Sequence, residues 1–157
     1  MVKLDIGGGK NKRDEDFIGV DICGSPDVKA KMWALPFKDA SVDFIWSGHT
    51  LEHAPFAKVI ETLAEWYRVL KPGGRLILQV PNMDYVAKYW LTGKDRAWAE
   101  AMIFGAQSDE GDFHKSAFTS DTLRGDLKGT GFEVVRVELK NSYSQESLQA
   151  VALKPKA

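Results

Sequence analysis

Residues 2–9 read V-K-L-D-I-G-G-G, and this stretch decides how the rest of the chain is read. Val2, Leu4 and Ile6 alternate with Lys3 and Asp5, and two of the three apolar residues are β-branched, so the stretch begins as a strand. It stops abruptly in Gly7, Gly8 and Gly9. Consecutive glycines at a strand's end expose backbone N–H groups with no Cβ to block approach. That suits a ligand lying against the chain at the carboxyl edge of a sheet. Asp5, just before the turn, offers its carboxylate to a cationic or hydrogen-bond-donating group.

Working outward, strands are expected at 17–21, at a short edge segment 28–30, and at 42–47 and 75–80. The polar run 10–16 separates the first two strands and is too short for a full crossover helix. Residues 56–70 form the clearest helix, with Val59, Ile60, Leu63, Tyr67 and Leu70 at helical spacing, stopped by Lys71-Pro72-Gly73-Gly74. Shorter helices are expected near 85–91, over 96–104 and over 119–128, the last capped by Thr119 or Ser120. Strands 132–139 and 146–153, joined by the polar loop 140–145, read as a terminal antiparallel pair. Strands alternating with crossovers predict an α/β, doubly wound, mostly parallel sheet with helices on both faces. The 157 residues suit one domain, within which 82–118 stands apart as an aromatic, glycine-broken insertion expected to act as a lid.

Composition narrows the function. A net charge of −1 supplies no global field for nucleic acid or an anionic membrane. Cys23 is the single cysteine, so no intrachain disulfide forms and a reducing, cytoplasmic setting is expected. The N-terminal residues lack the pattern of a signal peptide, and no apolar run approaches the ~20 residues of a membrane span.

In such a sheet the ligand sits outside the carboxyl ends of the strands. Those ends carry the glycines, then Asp21 with two oxygens for a ribose diol, and Ile22 to lie on a purine face. Met32, Trp33 and Leu35 add apolar surface, and Ser47, Gly48 and His49 leave the fourth strand. Six motifs in order (L-D-I-G-G-G at 4–9, G-V-D at 19–21, L-P-F-K-D-A-S-V-D at 35–43, S-G-H-T-L-E-H at 47–53, L-K-P-G-G-R-L at 70–76 and G-F-E-V-V at 131–135) resemble the class I S-adenosylmethionine-dependent methyltransferases. The resemblance implies a seven-stranded Rossmann-like sheet with an antiparallel last hairpin. It implies S-adenosylmethionine as cofactor, with Gly7 and Gly9 against its methionine end, Asp21 on the ribose and 47–49 near the sulfonium. Many members carry an Asp where this chain has Lys31, so adenine would rest on backbone groups and stacking.

Other readings fit less well. A dinucleotide site would want G-x-G-x-x-G, but Lys12 stands where the third glycine belongs. His49-Thr50-Leu51-Glu52-His53 has H-x-x-E-H spacing, yet it follows a strand directly and Ala54-Pro55 interrupts any helix, so no metal site is expected. His53 and Glu52 are expected to pin the loop by hydrogen bonds. Asp109-Glu110-Gly111-Asp112 lacks calcium-loop spacing and reads as solvated. His114 and, second, Tyr85 are candidate bases, and Trp90 and Trp98 are candidate substrate-facing residues. The expected function is in-line methyl transfer to an unidentified acceptor, and a homo-oligomer in which a second copy shares the cover of the site is one expectation. The competing expectation is a cofactor-binding accessory subunit without turnover, and a third is a generic nucleotide-binding module.

Overall fold

A computed structural model describes residues 1–142 and 145–156. Its strands are β1 (Lys3–Ile6), β2 (Ile18–Asp21), β3 (Val28–Lys29), β4 (Val42–Gly48), β5 (Leu70–Pro81), β6 (Glu133–Ser142) and β7 (Gln145–Leu153). Its helices are α1 (Val59–Val69), α2 (Met83–Thr92), α3 (Arg96–Phe104) and α4 (Ser120–Gly129). The strands form one seven-stranded sheet in the order β3-β2-β1-β4-β5-β7-β6. The first five are parallel, and β7 is antiparallel to both β5 and β6. The expected topology is therefore present. Its winding reverses between β1 and β4, where the carboxyl ends open a crevice.

Leu4, Ile6, Ile45, Leu76, Leu78, Leu148 and Ala150 share one face of the sheet and pack with Leu63 and Trp66 of α1 and Leu123 and Leu127 of α4. The buried stripe of α1 is Val59, Thr62, Leu63, Trp66 and Val69, rotated from the expected one, and Ile60 is 50% exposed. Trp66 takes the inward position because its indole N–H donates to the Met32 carbonyl at 2.9 Å, so the largest ring is buried without an orphaned donor. Arg68, at the end of α1, donates to the Leu35 and Phe37 carbonyls, and Glu65 accepts the Leu35 N–H at 2.7 Å. These bonds tie segment 35–37 to the helix.

The opposite face carries the β1–β2 connection, which forms turns rather than a helix, as its length requires. There the Arg13 guanidinium lies 3.9 Å from the Trp46 ring centroid, and Phe17 meets Phe44 edge to face at 5.7 Å. Lys3 and Asp16 form an ion pair.

Elements differ from expectation mainly at their ends. The β6–β7 ladder continues to Ser142↔Gln145, so most of the expected loop 140–145 is strand, and residues 143–144 lie outside the described residues. Main-chain pairing needs no apolar side chain, which is why the polar tip did not read as strand. Strand β5 begins at Leu70, directly after α1, and its ladder with β4 shifts register between Val42 and Phe44. Thr119 caps α4 through a reciprocal pair of bonds with Thr122. Helices α2 and α3 pack through Tyr85, Tyr89 and Trp98, with ring centroids 4.7–5.7 Å apart. Among the described residues no helix is long and apolar enough to cross a membrane.

Candidate functional site

Three cavities meet at Gly7 on the carboxyl rim of β1, β2 and β4. The central one, about 330 Å³, is walled by Asp21, Ile22, Met32, His49, Thr50 and His53, and by the loop residues Ser108, Asp109, Gly111 and Asp112. An apolar slot of about 80 Å³ leaves it between Ile22, Ala30, Lys31, Met32 and Trp33. A polar cavity of about 360 Å³ lies on the other side, lined by Asp5, Gly8, Asn11, Arg13, Trp46, Gly48, His49 and Gln79. The glycine turn and Asp21 thus share one cleft.

The glycines serve closure of the protein itself more than open access. Gly7, at φ +86°, donates its N–H to the Val20 carbonyl, and a Cβ there would meet Thr50 Oγ1 at 1.9 Å. A Cβ on Gly8 would meet the Asp5 carboxylate at 2.8 Å. Gly9 donates its N–H to Asp21 Oδ2 at 2.8 Å, and Cys23 donates to Asp21 Oδ1 at 2.9 Å. Two backbone donors therefore fix the Asp21 carboxylate and leave two of its four lone-pair directions for a ligand. Asp5 accepts the Arg13 N–H at 2.5 Å. Burial, only partly offset by that bond, holds its carboxyl above the ordinary range.

Other expected residues take different places. Leu35 is buried in the core, and it meets Glu65 and Arg68 through its main chain rather than lining the cleft. Ser47 is buried and lines none of the three cavities. Tyr85 and Trp98 belong to the small core of the α2–α3 hairpin, and the Tyr85 hydroxyl donates to Tyr89 at 2.9 Å, which raises its pKa. Trp90 sits beside Arg96 and, like Tyr85 and Trp98, lines none of the three cavities. Within the segment 82–118, Ser108, Asp109, Gly111 and Asp112 wall the central cavity, and Asp109 and Glu110 are exposed to solvent as expected for 109–112. Burial raises the pKa of Asp112, but the Ser108 bonds and nearby His53 and His114 outweigh it and hold the carboxyl below the usual range.

The turn Leu51–His53 and segment 113–116 are bound together. Glu52's carbonyl accepts N–H bonds from Lys115 at 2.8 Å and Ser116 at 3.0 Å. His53 Nδ1 donates to the Phe113 carbonyl at 3.1 Å, so His53 does pin the loop, whereas Glu52 pins it through its main chain. His114 Nδ1 donates to the Met102 carbonyl at 2.7 Å. His53 and His114 then meet edge to face at 4.9 Å, a pairing across 60 residues of sequence that no local spacing signals. His49 holds a left-handed backbone at φ +51°, and its Nδ1 lies 3.4 Å from Glu52 Oε1.

Residues 5–78 match the family model described as a methyltransferase domain. A 69-residue stretch, 40% of this chain, is 36% identical to a ubiquinone/menaquinone biosynthesis C-methyltransferase of Brucella anthropi and spans only 26% of that relative. The fold matches a structure of S-adenosylmethionine-dependent methyltransferases from Methanosarcina mazei at TM-score 0.74 and 22% identity, over 99% of this chain and 92% of that one. It also matches the Burkholderia thailandensis 1,6-didemethyltoxoflavin-N1-methyltransferase, a structure with bound 1,6-didemethyltoxoflavin and S-adenosylhomocysteine, at TM-score 0.67 and 17% identity, over 99% and 71% of the two chains. Residues 5–78 thus match a methyltransferase domain, and the whole chain has the fold seen in S-adenosylmethionine-dependent methyltransferases.

Proposed function

We propose that this chain transfers a methyl group from S-adenosylmethionine to an acceptor lying between the rim of β1 and β4 and the loop 108–112. The observation that carries the reading is the shared cleft, in which Asp21, fixed by two backbone donors, joins an apolar slot to a polar cavity. The parts match the cofactor's chemistry end to end. The slot beside Met32 and Trp33 suits adenine, without an acid at Lys31. Asp21 suits the ribose diol. The polar cavity offers Asp5 to an ammonium, and Arg13, which the sequence reading passed over, to a carboxylate.

The cofactor, when bound, supplies an electrophilic methyl group on a sulfonium. The chain's task is then to hold an acceptor atom about 3 Å from that carbon and opposite the sulfur, which can supply several kcal/mol. Thr50 and His49 stand at the junction of the cavities and set that direction, while loop 108–112 closes the outer side. Tyr85 lies with Tyr89 and Trp98 in the α2–α3 hairpin and lines none of the three cavities. His114 faces Glu52 and His53 rather than lining the central cavity. The exposed Cys23 suits a reducing, cytoplasmic setting.

Calorimetry with S-adenosylhomocysteine tests the reading. The chain is expected to bind it, and Asp21→Ala to weaken binding by about 1–3 kcal/mol. Equal affinity of variant and wild type would remove the ribose assignment.

A further inference from the structure

The H-x-x-E-H stretch follows β4 directly, and His49 and His53 share no helix face. The fold brings a different histidine into play. Donor atoms of Glu52, His53 and His114 all lie within 4.8 Å of one another. Two further features describe a site rather than a chance cluster. The Glu52 side chain is 2% exposed, and neither carboxylate oxygen has a hydrogen-bond partner among the described residues, its contact with His49 Nδ1 being a longer 3.4 Å from Oε1. A carboxylate withdrawn from water in this way calls for a compensating cation. His53 and His114 each spend Nδ1–H on a backbone carbonyl, which sets the tautomer and leaves Nε2 as a lone-pair donor. That is how protein scaffolds orient metal-binding imidazoles.

We propose that Glu52, His53 and His114 bind a divalent transition-metal cation, Zn²⁺ by the donor set, at the wall of the central cavity. Two imidazoles and one carboxylate suit zinc better than the oxygen-seeking Mg²⁺ or Ca²⁺. Bonds of about 2.0–2.2 Å require the donors to draw together by about 1 Å, within reach of side-chain rotation. Three protein ligands leave a fourth position open, and His53 faces the cavity. Resting on the methyl-transfer reading above, that position holds an acceptor hydroxyl. The bound hydroxyl releases its proton to solvent, and its oxygen forms a bond to the methyl carbon. The carbon–sulfur bond breaks, with its electron pair passing to sulfur. His114 is then a ligand and not a base.

The test uses the full chain without a polyhistidine tag, stripped of metal. Titration with Zn²⁺ alone is expected to show one ion per chain. Co²⁺ should give visible absorption that Zn²⁺ abolishes and Mg²⁺ does not. His53→Asn and His114→Asn keep a donor near the Nδ1 position but lose Nε2, and each should weaken Zn²⁺ binding at least about tenfold. Glu52→Gln, which removes charge at constant shape, should do the same and carries the test where a histidine variant fails to fold. Saturable binding that is absent in the folded wild type, or unchanged in folded variants, overturns the proposal. S-adenosylhomocysteine binding to the metal-free chain is measured alongside. Its loss would count against the cofactor reading alone, and failure of Zn²⁺ binding against the metal alone.

Discussion

The two faces of the sheet are held by different physics. On one, α1 and α4 bury Leu63, Trp66, Leu123 and Leu127 against aliphatic residues of the strands. On the other, the β1–β2 connection holds through Arg13 on Trp46, Phe17 on Phe44 and the Lys3–Asp16 ion pair. The first face draws on apolar area removed from water, which scales with the surface covered. The second draws on contacts that are individually small and open to solvent. Stability is therefore expected to concentrate on the helical face, while the other face positions Asp5 and Arg13 beside the polar cavity.

That contrast can be broken or sharpened. The largest effect is expected for Trp66→Ala, a loss of about 3–5 kcal/mol in urea unfolding, because it opens a cavity and orphans the Met32 carbonyl. An intermediate effect is expected at the α1 terminus. The Arg68 hydrogen bond, opposed by burial, holds the Glu65 carboxyl below the usual range. Its stabilisation is thus present above the unfolded glutamate value of about 4.3 and is lost as pH falls through the lower folded value. Acid titration of stability should show wild type losing about 1 kcal/mol that Glu65→Gln does not lose. The smallest is Arg13→Ala, about 0.5–1 kcal/mol. If Arg13→Ala destabilises the chain as much as Trp66→Ala, the two faces are not unequal.

The site shows a similar division. Asp21, Ile22, Met32 and His49 line the central cavity, and they were readable because each leaves the end of a strand or follows it closely. At Gly7 and Gly8 the protein itself needs the side chain to be missing, because Thr50 and Asp5 occupy that space, whereas a Cβ on Gly9 would meet nothing within 4 Å. Aromatic residues of 82–118 looked like pocket walls, yet Tyr85, Tyr89 and Trp98 satisfy one another. Within that segment it is the polar loop after α3 that walls the cavity, which the aromatic residues did not signal.

Strand alternation, helix period and turn residues are properties of near neighbours, so the sequence by itself determined the order of elements and the rim on which the cleft opens. On α1 the expected stripe held at Val59 and Leu63 but took Ile60 and Tyr67 where Trp66 turns inward, toward the partner carbonyl of Met32. The meeting of Glu52, His53 and His114 was beyond the sequence altogether. It depends on N–H groups of Lys115 and Ser116 closing onto one carbonyl, and such bonds exist only once the sheet has brought both segments to the same edge.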